Sequence, residues 1–75
     1  MDIYQRKREA NLLARQLIEK AVEQGKEVEI EKLVYEVCDT YPVPEKPLTK
    51  AIHLYVGMQE GISISAGIIK KDDWN

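Results

Sequence analysis

Ile62-Ser63-Ile64-Ser65-Ala66-Gly67-Ile68-Ile69-Lys70 is the stretch that decides the fold class. Ile62 and Ile64 alternate with serines, the period-2 pattern of a strand with one buried face. Ser65-Ala66-Gly67 suits a three-residue loop, a type I turn with Gly67 in the left-handed conformation. Ile68, Ile69 and Lys70 return as the second strand. The remainder of the chain has helical periodicity, so the class expected is α+β, mostly helical: three helices followed by a short β-hairpin.

Upstream of the hairpin, a helix is expected from about Glu45 to Gln59. Leu48, Ala51, Ile52, Tyr55 and Met58 make its apolar side, with Leu54 and Val56 on the flanks. Gly57 weakens it and Gly61 stops it. Before it stands Tyr41-Pro42-Val43-Pro44-Glu45-Lys46-Pro47, whose prolines exclude helix interior. Pro44 or Pro47 fits the first turn of the helix that follows, where a missing N–H does no harm.

A second helix, Ile30 to Thr40, places Ile30, Leu33, Val34, Val37, Cys38 and Tyr41 on one face and Tyr35 on the polar side. Glu29 and Glu31 complement its positive N-terminal end. Val28 and Ile30 alternate with acids, which allows a very short strand just before it. The first helix runs from about Asp2, a capping residue, to Gln24, with Gly25 as its stop. Ile3, Ala10, Leu13, Ala14, Leu17, Ile18 and Ala21 form its stripe. Leu12 projects away from that stripe. It is either an incidental exposed leucine or a contact to a second copy of the helix.

The order helix, short strand, helix, stiff connection, helix, hairpin resembles the winged helix-turn-helix family. The resemblance covers nearly the whole chain and is one of layout. It implies a third helix that enters the DNA major groove and a hairpin that touches the backbone or minor groove. One departure is expected: a connection longer than the usual three or four residues and rich in proline.

Seventy-five residues make a single domain spanning 1–75. A chain this short buries roughly 60–65% of its unfolded surface, so pairing with a second copy would help its stability. The chain is 44% hydrophobic and 32% charged, within the range of folded proteins and unlike a disordered one. The lone Cys38 cannot make an intramolecular disulfide or a cysteine zinc site, and reads as a small buried hydrophobe rather than a reactive thiol. No run approaches the ~18 apolar residues of a membrane helix, and no signal-peptide core is present. A reducing cytoplasmic compartment is therefore expected.

The functional expectation centres on the third helix, whose polar arc holds Lys46, Thr49, Lys50, His53 and Gly57. Lysines suit phosphates or guanine edges, Thr49 and His53 suit base edges or phosphates, and Gly57 leaves room for close approach. Lys70 and Lys71 on the hairpin, and Arg6 and Arg8 in the basic run Arg6-Lys7-Arg8, are further candidates for phosphate contact. The bland counterparts are a solvated helix face and a charged tail that partly cancels against Asp72 and Asp73. The net charge of −2 argues against nucleic acid. Its acids, however, concentrate between Glu19 and Asp39, away from the basic regions.

No phosphate loop, metal-ligand cluster or nucleophile–base pair is present in the sequence, so no enzyme activity, cofactor or metal is expected. The leading reading is a small DNA-binding transcriptional regulator whose partner is duplex DNA, with a homodimer compatible. The alternative is a protein-interaction module on the same fold. Leu12, Tyr35, Leu54 and Trp74 are its contact candidates. Trp74 either folds back on the core or sits in a dimer contact.

Overall fold

The computed structural model describes residues 2–72. Asp73, Trp74 and the expectations attached to them lie outside the described residues.

Helix α1 spans Ile3–Glu23. Asp2 caps it, its side chain accepting from the Gln5 N–H at 2.8 Å. At the other end Gly25 has φ 69°. The Gly25 N–H donates to the Val22 carbonyl and the Lys26 N–H to the Ala21 carbonyl. These paired bonds are a Schellman termination, which needs the left-handed residue glycine supplies.

The chain then makes β1 (Val28–Glu29) and turns directly into α2 (Ile30–Thr40). Cys38 donates from Sγ to the Val43 carbonyl at 3.5 Å, and Arg6 Nη1 donates to the Pro42 carbonyl at the same distance. The segment after α2 is thereby held by side chains from α1 and α2. Helix α3 spans Glu45–Met58, leaving a connection of only four residues, Tyr41 to Pro44. The expectation of a longer connection is corrected here. Pro44 occupies the N-cap position and Pro47 the first turn, where no intrahelical acceptor exists for their missing N–H groups.

Strands β2 (Ile62–Ser65) and β3 (Ile68–Lys71) form the hairpin. Ser65 pairs with Ile68, so the loop is the two residues Ala66 and Gly67. Both have positive φ, 53° and 75°, the signature of a type I′ turn. The expected three-residue loop is thus corrected. A type I′ turn twists in the sense of the strands it joins, which the tight pairing here requires. Strand β1 adds antiparallel to β3, giving the order β1-β3-β2. The Ile30 N–H, an orphan donor at the start of α2, bonds the Gly67 carbonyl at 2.9 Å. The hairpin tip is therefore tied to α2.

The result is a small α+β fold, mostly helical, with three helices and a three-stranded antiparallel sheet. One core joins Ala10, Ala14 and Ile18 of α1, Ile30, Leu33, Val34 and Val37 of α2, Leu48, Ile52 and Val56 of α3, and Ile69 of β3. Two residues expected on apolar stripes are exposed instead. Met58, the last residue of α3, is 81% exposed, and Ile3 lies on the first turn of α1, well before its first buried residue, Ala10. Ile3 has the spacing of its stripe but precedes the packed core, whereas Met58 stands about 120° from Ile52, at the edge of the inner side and at the helix end. Cys38 is half-buried and packs beside the core. No helix among the described residues is long and apolar enough to cross a membrane.

Candidate nucleic-acid interface

Leu48, Ile52 and Val56 anchor α3 along its inner side. At 3.6 residues per turn, Lys50 and Leu54 each stand about 200° from Ile52, so they form the crest of the outer face. Lys46, His53 and Gly57 flank them, and all five are exposed. Among the described residues no carboxylate belongs to this crest. The expected polar arc is present, with one difference: Leu54, expected on the flank of the apolar side, is 61% exposed at its centre. Lys46, Lys50, Leu54 and Met58 make a row at four-residue spacing.

Thr49 faces elsewhere. It is half-buried and lines a groove of about 760 Å³ between α2, α3 and the hairpin tip. His53 stands on the boundary, exposed on the outer face and lining the same groove. The groove also holds Glu29, Glu31, Glu45 and Tyr35. Lys32 is the one lysine or arginine among its described lining residues, and its ammonium lies 3.5 Å from the Glu29 carboxylate. The two sides of α3 therefore differ in sign: basic and acid-free outside, acid-rich in the groove. A polyanion is favoured on the first and disfavoured in the second.

Helix α1 borders α3 on the side away from the groove. Lys7 and Asn11 line a small crevice with Pro44, Pro47 and Leu48. Further along, the Arg15 guanidinium lies 5.1 Å from the centre of the Tyr55 ring. The Tyr55 hydroxyl donates to Glu19 at 2.9 Å. Burial, then the hydrogen bond to Glu19 and its charge, push the Tyr55 phenol above its ordinary pKa of 10.0, while Arg15 opposes them. These contacts fix the seam between α1 and α3, so Arg15 is part of the scaffold behind the crest.

The other sequence candidates are scattered. Arg8 is exposed on α1, whereas Arg6 is turned to the Pro42 carbonyl. Lys70 and Lys71 are exposed on β3 at the end of the hairpin away from its turn, opposite Ser63 and Ile62. As neighbours on a strand they point to opposite faces. Among the described residues no group of three or more His, Cys, Asp or Glu side chains could hold a metal ion. Tyr35 is 78% exposed on α2 and Leu12 is 45% exposed on α1, both as their spacing predicts. What the sequence reading missed is the place of Leu54. The signal was available in the four-residue spacing from Lys46 and Lys50.

No protein family, curated protein or solved structure matches the chain.

Proposed function

We propose that the protein is a winged-helix DNA-binding regulator that lays the crest of α3 into the major groove of duplex DNA. The observation that carries this reading is the acid-free outer face of α3, with Lys46, Lys50 and His53 exposed on a helix braced by the core on its other side. The order of three helices and a hairpin, with β1 added to β3, supports it as the winged-helix layout. A rigid helix of 14 residues is about 21 Å long, enough to span the width of a major groove. The lysines supply phosphate contacts and the crest supplies contacts to base edges. Lys70, Lys71 and Arg8 are the candidates for flanking phosphates.

The test is a Lys50→Ala, His53→Ala double substitution. Both residues are exposed, so the fold should survive, as circular dichroism would report. Binding to duplex DNA should weaken by at least tenfold, at about 1 kcal/mol or more for each lost contact. Unchanged affinity in the folded double variant would rule out the assignment of α3.

A protein-interaction module is the second reading, favoured by a specific feature: Leu54, Met58 and Tyr35 are large, apolar or aromatic, and exposed. It expects Tyr35→Ala to abolish a protein complex that charge reversal at Lys46 and Lys50 leaves intact.

A further inference from the structure

We infer that Leu54 is a specificity-determining contact to a thymine methyl group, with Gly57 beside it as the point of closest approach to the duplex. This rests on the DNA reading of α3 and goes beyond it by naming the base feature recognised.

Two features of the crest have no explanation among the described residues. Leu54 is 61% exposed, one turn after Lys50, and belongs to no part of the core. Gly57 is the second-to-last residue of α3, exposed in its final turn, and a Cβ built on it would meet nothing within 4 Å. It has no positive φ to justify it either. Among the described residues nothing asks for a leucine at the first position or forbids a side chain at the second. A surface brought against the crest from outside asks for both.

Charge identifies that surface. The row Lys46, Lys50, Leu54, Met58 carries two cations and no carboxylate, while Glu29, Glu31 and Glu45 lie in the groove beside it. A polyanion is the complementary partner. On the major-groove edge of DNA every base presents hydrogen-bonding groups, and thymine alone adds an apolar one, its C5 methyl. A leucine pressed on a donor or acceptor leaves that group unpaired, which is unfavourable. Pressed on the methyl, it removes two apolar surfaces from water. Gly57, one turn beyond His53, lets the helix settle deeply enough for a side chain as short as leucine to reach.

The experiment uses duplexes that the full chain itself enriches from a random-sequence pool, prepared with thymine or with deoxyuridine, which lacks only the methyl group. Wild-type protein should bind the thymine duplex about three- to fivefold more tightly for each methyl contacted, the worth of one buried CH₂-sized group. Leu54→Ala should bind the thymine duplex correspondingly more weakly and lose the distinction between the two. Gly57→Ala should melt at a higher temperature and bind DNA more weakly, a pairing of signs that a purely structural glycine does not give. Equal wild-type affinity for both duplexes, a Leu54→Ala variant that still distinguishes them, or a Gly57→Ala variant with undiminished binding would each overturn the inference. Absence of any enrichment would instead overturn the DNA reading itself, and the inference with it.

Discussion

Ala66 holds φ at 53° as the first residue of a type I′ turn. An L-residue with a Cβ pays about 1–2 kcal/mol for that conformation, and Asn-Gly is the pair such turns prefer. Ala66→Asn should therefore raise stability by about 0.5–1 kcal/mol, read as a higher urea midpoint with an unchanged slope. A lower midpoint would contradict the turn assignment. Tyr55 makes a second residue-scale prediction. Its phenol is held protonated, first by burial and then by Glu19. A raised folded pKa contributes stability that is fully present below the ordinary phenol value and lost as pH climbs through the folded one. The seam between α1 and α3 should thus weaken above about pH 10. Glu19→Gln should lower the Tyr55 titration midpoint, followed by phenolate absorbance. An unchanged midpoint would mean the Glu19 contact does not persist in solution.

Each element couples a local signal to the core, and the outcomes differ by element. Strand β3 contributes one fully buried side chain, Ile69, between β1 and β2 and against the helices. Ile69→Ala should cost about 2–4 kcal/mol by cavity formation. Leu54→Ala, on the crest of α3, should stay within about 0.5 kcal/mol of wild type in the same denaturation experiment. Equal losses would mean that Leu54 is packed rather than exposed. The helices were legible from their periodicity because burial on one side imposes it, and Asp2, Gly25 and the prolines marked their ends through backbone chemistry. The hairpin was legible as a hairpin but not in its turn, because nothing local to Ala66 favours a positive φ. That conformation comes from strand pairing and from the Gly67 carbonyl held at Ile30. Ile3 is exposed for a related reason: periodicity gives the angle of a side chain but not whether a neighbour extends far enough to cover it. For the candidate site, the lysines and His53 are legible in the sequence as part of a polar arc on the third helix. The acid-lined groove that takes Thr49 is not, because Glu45 and the hairpin tip join Glu29 and Glu31 only in the fold.

Over the whole molecule, charge is divided by surface rather than balanced throughout. The net charge of −2 hides a basic crest on α3 and an acidic groove beside it. Binding is governed by the local field at the contact, so a mildly acidic chain can still present a face suited to DNA. Size bears on association as well. A 75-residue chain has a modest core, and Leu12 stands exposed on α1 away from it. If a second copy covers that side, Leu12→Glu should shift the sedimenting species toward monomer without unfolding it. Identical sedimentation would make Leu12 an incidental exposed leucine.

The most direct test of the central claim is fluorescence anisotropy of a labelled duplex titrated with the protein across a salt series, from low salt to about 0.1 M. Each phosphate neutralised contributes about −0.9 to the slope of log affinity against log salt. With Lys46 and Lys50 both engaged, binding with a slope of about −2 or steeper is predicted. No binding at low salt would contradict the DNA reading and leave the exposed Leu54, Met58 and Tyr35 to a protein partner.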